Sequence, residues 1–310
     1  MVYTKEMLTF LEKMEISKED FEKSGVSWKA LKRIKRAYLD NTKFYEKIAL
    51  SYVEELSKLE NVHSVRYRIK DVNHLLEKII RKTLDGEKDI DYENFAEKIT
   101  DIVGIRVLYV FKSDWKKLHD DINKQYSKKY AQNPQVKIKD GDSEEEFKSI
   151  RNVVVEKNVY RSIHYTLRHD MYDESTGDKI CTVKVEIQTR SIFEEGWSEI
   201  NHKLIYKKSI PDEIKDKMYN ISDILATLAG ACDRLGESLK DYEIEAKTVD
   251  QKFPNKQQIT VAVEKKEVQG IETSSSNENE ITSAAELIDI MESYLDIPVQ
   301  KTKTKTNKQK

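Results

Sequence analysis

The spacing of apolar residues changes its period partway along this chain, and that change constrains the fold more than any other feature. Over residues 4–60, apolar side chains recur every three or four positions, which is typical of helices with one buried face. Residues 71–84 repeat this spacing, with Asp71 or Asn73 placed to cap the helix. From residue 99 onward, β-branched residues become frequent and the period falls towards two. The sequence therefore predicts an α+β fold, with a sheet of about five strands flanked by helices.

The later elements can be placed from the same signals. The predicted strands are residues 99–111, 151–156, 160–168 and 180–189. The predicted helices are residues 114–127 and 191–207, and an apolar ladder from Ile221 to Leu239 continues the helical spacing. The polar, acidic stretch at 128–150 is predicted to be a loop or an inserted segment, and residues 173–178 (DESTGD) the turn of a hairpin.

These elements divide the chain into four parts. A helical extension at 1–44 precedes the main domain at 45–210, and helices at 211–248 follow it. Residues 249–310 contain SSSNENE and end in KTKTKTNKQK, so they are predicted to be a flexible tail. Within this tail, the apolar spacing at 281–297 predicts a short amphipathic helix.

Charge balance and cysteine content exclude several classes of protein. The chain has 54 basic and 56 acidic residues, so it lacks an overall basic surface, although basic residues cluster at 33–38 and 203–208. Cys181 and Cys232 show neither a disulfide framework nor zinc-site spacing. No apolar run approaches the length of a membrane span, and the N-terminus lacks the pattern of a signal peptide. We therefore expect a cytoplasmic protein with no membrane partner.

The segment VKVEIQTR at 183–190 places a carboxylate within an otherwise apolar strand. Because side chains alternate between faces, Lys184, Glu186 and Gln188 share one face of that strand. A solvated polar face accounts for this pattern by itself. Asp101 is likewise either a turn residue or a partner of Glu186. If the two strands are neighbours, both carboxylates reach one site, and such a pair suits Mg²⁺ together with substrate phosphates.

Cationic residues surround the start of the helix at 71–84. Arg68 and Lys70 lie on one side of the extended segment before it, and Lys78 lies on the helix itself. A charge run is usually a solvated face, but a helix N-terminus also attracts anions, which makes this group a candidate phosphate site. The chain contains neither GxxxxGK[ST] nor GxGxxG, so P-loop and Rossmann nucleotide sites are excluded.

A third group of polar residues lies in NVYRSIHYTLRHD at 158–170. As a strand, this segment places Tyr160, Ser162 and His164 on one face. An aromatic ring, a hydroxyl and an imidazole in line could form the wall of a nucleoside site, where stacking contributes about 1–3 kcal/mol per base. A single histidine on a strand is more often structural. On the helix at 191–207, Lys203 could meet either phosphate or water.

Five segments, in their order along the chain, resemble the RelA/SpoT-type nucleotide pyrophosphokinases in their single-domain form, the small alarmone synthetases. They are YRIKDVNHLLEKI, DIVGIRVLYVF, NVYRSIHYTL, VEIQTR and WSEINHKLIYK, within about residues 45–210. The resemblance implies a mixed sheet of the nucleotidyltransferase type. It also implies Mg²⁺-dependent transfer of pyrophosphate from ATP to the ribose 3′-hydroxyl of GDP or GTP. Assembly into a dimer or tetramer is a further implication.

The resemblance also implies roles for individual residues. The ATP-binding residues would be Arg68, Lys70, Lys78 and Arg106. Asp101 and Glu186 would be the catalytic, magnesium-associated acids, with Glu186 as the base for the 3′-hydroxyl. Tyr160 would stack on guanine and His164 would lie beside acceptor phosphate. The remaining acceptor-binding residues would be Lys157, Asn158, Gln188, Arg190, His202 and Lys203.

The chain departs from the family pattern at three positions, which leaves the acceptor open. His74 replaces a usual serine, Val159 replaces a turn glycine, and Asn201 replaces a common acidic residue. One alternative is a toxin-like member that modifies the 3′ end of tRNA or an adenine nucleotide, and another is a catalytically silent nucleotide-binding regulator. Only about 60 residues precede the matching region, fewer than the family's hydrolase domain needs, so we expect no alarmone hydrolysis.

Overall fold

The computed structural model of the chain describes residues 3–139, 142–148, 150, 153–158, 160–173, 175–205 and 210–252. These residues belong to one compact unit, Met1–Pro254, whereas a second unit, Asn255–Lys310, lies outside them. The helix predicted at 281–297 and nearly all of the tail predicted at 249–310 therefore lie outside the described residues and stay predictions.

The described residues contain ten α-helices. They are α1 (Lys5–Lys13), α2 (Lys18–Ser24), α3 (Trp28–Asp40), α4 (Thr42–Leu56), α5 (Val72–Leu84), α6 (Phe95–Lys98), α7 (Asp114–Tyr126), α8 (Glu145–Lys148), α9 (Ile192–Leu204) and α10 (Asp212–Lys252). Helices α1 to α3 begin where the side chains of Thr4, Ser17 and Ser27 accept hydrogen bonds from first-turn N–H groups. Asp71 caps α5 in the same way. Of the two caps that the sequence predicted for this helix, Asp71 and Asn73, Asp71 is therefore the one observed.

Six strands among the described residues form one mixed sheet in the order β1-β2-β6-β5-β3-β4. They are β1 (Ser64–Ile69), β2 (Val103–Tyr109), β3 (Gln135–Lys139), β4 (Val154–Asn158), β5 (Ser162–Tyr172) and β6 (Lys179–Ser191). Strands β2 and β6 run parallel, whereas β5 and β6 form the predicted antiparallel hairpin. The predicted α+β class and mixed sheet are confirmed, and β2 is a direct neighbour of the strand that carries Glu186.

The predicted loop at 128–150 is wrong over β3 and α8. Strand β3 reads QVKIK, and its Val136 and Ile138 are buried while the polar residues between them point the other way. Two apolar residues in a polar stretch are too few for periodicity alone to indicate a strand. The strand forms because β4 and β5 supply hydrogen-bonding partners on both of its sides.

The apolar face of the sheet joins the helices in one buried cluster. Val185 and Ile187 of β6 are fully buried there, together with Tyr52 of α4 and Leu76 of α5. Each such side chain contributes about 1.5–3 kcal/mol relative to an exposed one. A slip of one residue in the register of β6 would turn Glu186 into this cluster, so burial of the apolar face fixes the polar face as well.

Helices α9 and α10 complete the unit. Ser191 and Glu194 form a capping box at the start of α9. The predicted ladder lies on α10, where Ala226 and Ala229 are buried but Leu235 and Leu239 are 54% and 70% exposed. The predicted homo-oligomer stays a prediction. In the part of the chain that the structure describes, no helix combines the length and apolar character that crossing a membrane requires.

Candidate active site

Two rows of side chains cross the polar face of the sheet. In the first row the register partners are Arg68, Gly104, Glu186 and Thr166. In the second row they are Arg66, Arg106, Gln188 and His164. Strand pairing therefore brings candidate residues from four strands, β1, β2, β5 and β6, onto one surface.

Glu186 lies on the central part of this surface. Its Oε2 accepts a hydrogen bond from Gln188 Nε2 at 2.7 Å, and its Oε1 lies 3.5 Å from His164 Nδ1. Burial raises the pKa of Glu186, but hydrogen bonding and the charge of His164 outweigh burial and bring that pKa below its ordinary value. The negative charge of Asp101 acts in the opposite sense. Glu186 is therefore a carboxylate at neutral pH and can accept a proton.

Lys70, Lys78 and Asp101 form a second charged group, the Asp101 cluster. Oδ2 of Asp101 is 2.7 Å from Lys70 Nζ, and Oδ1 is 2.8 Å from Lys78 Nζ. Burial works to raise the pKa of Asp101, but the two ammonium groups overcome it and lower the pKa from 3.8 to about 2. Asp101 lies in a turn before β2 and also lines the cavity described next, and its partnership with Glu186 stays a prediction.

A cavity of about 920 Å³ opens at the Asp101 cluster. Its cationic lining residues are Arg68, Lys70, Lys78, Arg81 and Lys203. Burial lowers the pKa of Lys70, and the charges of Lys78 and Arg68 act in the same sense, although Asp101 opposes them. The lining also includes Asp71, Glu77, Asp101 and Glu199, so the cavity keeps a small excess of positive charge, which suits an anionic ligand such as a triphosphate.

Tyr160, His164 and Arg190 form the Tyr160 cluster: His164 lies on β5, Arg190 lies on β6, and Tyr160 lies just before β5. The rings of Tyr160 and His164 stack with centroids 6.0 Å apart, and the Arg190 guanidinium lies 5.2 Å from the Tyr160 ring centroid. Gln188 links this cluster to Glu186, because its Oε1 accepts a hydrogen bond from Arg190 Nη2 at 3.3 Å. An aromatic surface thus adjoins the carboxylate.

Two buried nitrogen atoms of the Tyr160 cluster, His164 Nε2 and Arg190 Nε, have no hydrogen-bond partner among the described residues. Buried polar atoms of this kind are uncommon and cost about 1–3 kcal/mol each when nothing satisfies them. Burial, together with the charge of Arg106, lowers the pKa of Arg190 to about 10. The cluster therefore gains from a ligand that supplies polar atoms beside an aromatic ring.

Arg106 contacts α9 in the structure. Its guanidinium pairs with the buried carboxylate of Glu195, and Oε2 of Glu195 also lies 3.4 Å from Arg190 Nη1. One carboxylate is thus shared between the residue predicted to bind ATP and a residue of the Tyr160 cluster. The contact of Arg106 with ATP stays a prediction.

The structure does not gather every predicted acceptor residue. Lys157 pairs with Ile138 in the register of β4 and β3, so it lies on the sheet face opposite Glu186, with β3 and β5 between β4 and β6. Asn158 ends β4, and its side chain lies outside the described residues. His202 and Lys203 of α9 line the same cavity as Lys70 and Lys78. In position they therefore group with the predicted ATP-binding residues.

Sequence reasoning missed two residues of the site, Gly104 and Glu195. A Cβ on Gly104 would lie 3.3 Å from Cγ and Nε of Arg68, so glycine is what lets Arg68 cross β2 closely. A glycine inside an apolar strand was the available signal for such an approach. Glu195 gave no comparable signal, since acidic residues are common in the first turn of a helix.

The acidic residues fit a metal that is shared with a substrate. Among the described residues, no three or more His, Cys, Asp or Glu side chains are arranged to hold a metal ion. Asp101 and Glu186 are both ionised and interact electrostatically. Mg²⁺ usually takes one or two carboxylates with phosphate oxygens rather than an all-protein cage, so this pair has suitable donor chemistry.

Comparisons with known proteins converge on one family. Residues 67–211 match the profile of the region found in RelA/SpoT proteins, and this span holds every predicted site residue. Two proteins of Bacillus subtilis (strain 168) are similar in sequence. GTP pyrophosphokinase YjbM is 27% identical over 216 residues, which cover 68% of this chain and 87% of that protein. GTP pyrophosphokinase YwaC is 25% identical over 171 residues, which cover 53% and 68%.

Two solved structures also share similarity with the chain. The small alarmone synthetase 1 of Bacillus subtilis is 22% identical and gives a TM-score of 0.41, covering 70% of this chain and 97% of that one. A GTP pyrophosphokinase family protein from Streptococcus pneumoniae is 22% identical and gives a TM-score of 0.42, covering 80% and 98%.

Proposed function

Because this chain belongs to the RelA/SpoT family of pyrophosphokinases, whose characteristic region it carries at residues 67–211, we propose that it transfers the β,γ-pyrophosphate of ATP to the ribose 3′-hydroxyl of GDP or GTP. The observation that carries this proposal is the position of Glu186. This ionised carboxylate interacts with the Asp101 cluster on one side and contacts the Tyr160 cluster on the other. A base between a phosphate site and a nucleoside site is what 3′-pyrophosphorylation requires.

The Asp101 cluster would bind the triphosphate of ATP. Lys70 and Lys78 lie with Arg68 in a cavity large enough for a nucleotide. Phosphoryl transfer depends mainly on positioning and on neutralising the charge that spreads over the transferred group. In this role, Asp101 holds the two ammonium groups in place, and their N–H donors can be shared with phosphate oxygens.

The Tyr160 cluster would bind the acceptor nucleotide. The Tyr160 ring offers a surface for the guanine base, and stacking contributes about 1–3 kcal/mol per base. His164 Nε2 and Arg190 Nε are buried and lack a hydrogen-bond partner among the described residues, so a ligand that opens this cluster would supply partners for them. Glu186 would accept the proton of the 3′-hydroxyl as that oxygen attacks the β-phosphorus and AMP leaves with the bridging oxygen.

Asp101 and Glu186 are the residues that would hold Mg²⁺, and at Asp101 the ion would replace a contact with Lys70 or Lys78. Bound there with substrate phosphates, the ion would neutralise charge on the transferred group. The proposal assigns the proton transfer to Glu186 and the binding of phosphate to the lysines.

A second candidate function uses a different acceptor. That acceptor is either the 3′ end of tRNA, which has no compact 5′-polyphosphate, or an adenine nucleotide. The position of Lys157 favours it, because the register places this predicted phosphate-binding lysine on the face opposite Glu186. Retention of Asp101 and Glu186, both ionised, argues against a catalytically silent regulator.

Incubation with γ-labelled ATP, Mg²⁺ and one acceptor at a time tests these proposals. The acceptors are GDP, GTP, AMP and deacylated tRNA, and Glu186→Gln is the inactive control. We expect labelled product with GDP or GTP, lost in the control. Label on tRNA or AMP alone would overturn the guanine assignment, whereas no label on any acceptor would overturn the enzymatic proposal.

A further inference from the structure

A tyrosine hydroxyl from outside the family-matched region reaches the proposed ATP site. Tyr38 belongs to α3, whereas the span that matches RelA/SpoT proteins begins at residue 67. The Tyr38 hydroxyl donates a hydrogen bond to the backbone carbonyl of Lys70. The side chain of the same lysine makes the 2.7 Å contact between Nζ and Asp101 in the Asp101 cluster. Helix α3 and the proposed ATP site are therefore joined at one residue.

Lys70 lies where the backbone leaves the sheet. Strand β1 ends at Ile69 and α5 begins at Val72, so Lys70 belongs to the short connection between them. Its N–H donates a hydrogen bond to the carbonyl of Ile102 at 3.0 Å, and its own carbonyl accepts the hydrogen bond of Tyr38. The peptide groups on both sides of the Lys70 Cα are therefore fixed, one by the segment before β2 and the other by α3.

Packing fixes the position of the Tyr38 ring. The side chain is buried, and its ring centroid lies 5.3 Å from that of Tyr45 and 6.3 Å from that of Phe95. Burial raises the pKa of the Tyr38 hydroxyl, and the negative charges of Asp71 and Asp101 act in the same sense. The hydroxyl therefore keeps its proton at neutral pH and serves as a donor.

We propose that Tyr38 is a positioning residue for ATP, an inference that rests on the proposed function. By holding the backbone of Lys70, Tyr38 fixes the point from which the lysine side chain extends to the triphosphate. The lysine stem is flexible, so its ammonium group is placed accurately only if the Cα is held. A displacement of about 1 Å in a residue that positions substrate can have a large effect. If the hydroxyl instead served the fold alone, its loss would lower stability without changing the affinity for ATP.

The test compares Tyr38→Phe with the wild type. Phenylalanine keeps the ring and removes only the hydroxyl, so we expect the KM for ATP to rise about fivefold, the equivalent of one hydrogen bond, while the KM for the acceptor does not change. The dissociation constant of a fluorescent ATP analogue, measured without acceptor, should rise by the same factor. Hydrogen exchange in peptides that contain Lys70, followed by mass spectrometry without nucleotide, should become faster.

Tyr126→Phe is the matched control. The buried Tyr126 hydroxyl of α7 also donates one hydrogen bond, to Glu55 Oε2 of α4 at 2.6 Å. Neither residue lines the cavity at the Asp101 cluster. This variant should have a lower melting temperature than the wild type and an unchanged affinity for ATP.

A double-mutant cycle with Lys70→Ala separates positioning of the lysine from a general effect on the fold. Without the ammonium group, adding Tyr38→Phe should change the affinity for ATP by less than about twofold. A loss of about fivefold in that background would overturn the positioning role, as would equal ATP affinities of Tyr38→Phe and the wild type. In both cases the wild type still binds ATP and the proposed function stands. Failure of the wild type to bind the ATP analogue would overturn the proposed function together with this inference.

Discussion

The Asp101 cluster and the Tyr160 cluster lie on the same surface but are stabilised in opposite ways. In the Asp101 cluster, both carboxylate oxygens of Asp101 are paired with ammonium groups at 2.7 and 2.8 Å. In the Tyr160 cluster, two buried nitrogen atoms have no hydrogen-bond partner among the described residues. The polar atoms of Asp101 are therefore satisfied by the protein itself, whereas the unpaired atoms of the second group depend on a ligand. We expect substitutions in the first to affect folding as well as catalysis, and substitutions in the second to affect mainly binding.

The largest effect is expected where the two clusters meet. Glu186→Gln removes the proposed base but keeps the shape of the side chain, so kcat should fall about 10³-fold while the KM values change little. Initial rates with varied ATP and acceptor measure this. Glu199→Gln is the matched control, because Glu199 lines a small cavity together with Glu186 but is mostly exposed. An equal loss of rate in both variants would contradict the special role of Glu186.

Asp101→Asn should affect both stability and activity. It leaves Lys70 and Lys78 without their carboxylate, so we expect a loss of about 2.5 kcal/mol in the free energy of unfolding, at 1.36 kcal/mol per pKa unit, and a rate about 10- to 100-fold lower. Because its folded pKa is depressed, the stabilisation by Asp101 is complete above pH 3.8 and is lost as the pH falls through about 2. Urea unfolding of the wild type and of Asp101→Asn, at pH 7 and at pH 3, measures this difference in stability.

The control for Asp101→Asn is Asp114→Asn, which breaks another well-buried ion pair, the 2.7 Å contact with Lys240. It should lower stability and leave the rate unchanged. If Asp101→Asn proved as stable as the wild type at pH 7, the idea that the ion pairs of the Asp101 cluster stabilise the fold would be wrong.

His164→Leu, unlike Asp101→Asn, should affect binding of the acceptor more than stability. The KM for the acceptor should rise about tenfold, the equivalent of one hydrogen bond, while the KM for ATP stays the same. Stability should fall less than in a variant that loses a fully hydrogen-bonded histidine, because Nε2 has no partner among the described residues and the substitution removes only the 3.5 Å contact of Nδ1 with Glu186.

His119→Leu provides the comparison for His164→Leu. His119 is also buried, but its two ring nitrogens contact Tyr165 and Asn123 at 2.9 and 2.7 Å. Its loss should cost more stability and leave the acceptor KM unchanged. If His164→Leu lost more stability than His119→Leu, the contrast between the hydrogen-bonded histidine and the one with an unpaired nitrogen would be wrong.

The smallest effect is expected at Gly104. In Gly104→Ala, the new Cβ would lie 3.3 Å from the Arg68 side chain, which must shift by a few tenths of an ångström. We expect the KM for ATP to rise about threefold. Gly196→Ala is the control, since no atom lies within 4 Å of its added Cβ, and alanine in a helix should stabilise by roughly 0.5–1 kcal/mol. An unchanged KM for ATP in Gly104→Ala would show that Arg68 does not depend on this approach.

The sequence predicted those parts of the site that depend on periodicity within one element. Alternation along β6 placed Glu186 on the polar face, and the sequence offered two caps for α5, of which Asp71 is the one observed. Strand β3 was missed because its pattern is short and its stability comes from neighbouring strands.

Contacts between distant elements could not be predicted in this way. Arg106 and Glu195 are 89 positions apart, and nothing in either local sequence indicates that they pair. Lys157 illustrates the same limit, because its face is decided by pairing with β3, an element that the sequence did not indicate. Resemblance to a family identified which residue types to expect, whereas the strand register decided which of them meet.

Because two arginines share the carboxylate of Glu195, the binding of one ligand has a consequence for the binding of the other. It contacts Arg106 and also lies within reach of Arg190, so the two arginines compete for one anion. A nucleotide that draws Arg106 away leaves Glu195 to Arg190 alone, and occupancy of one half of the site thereby alters the affinity of the other. Thermodynamic linkage makes this coupling reciprocal, so whichever nucleotide arrives first changes the binding of the second by the same factor.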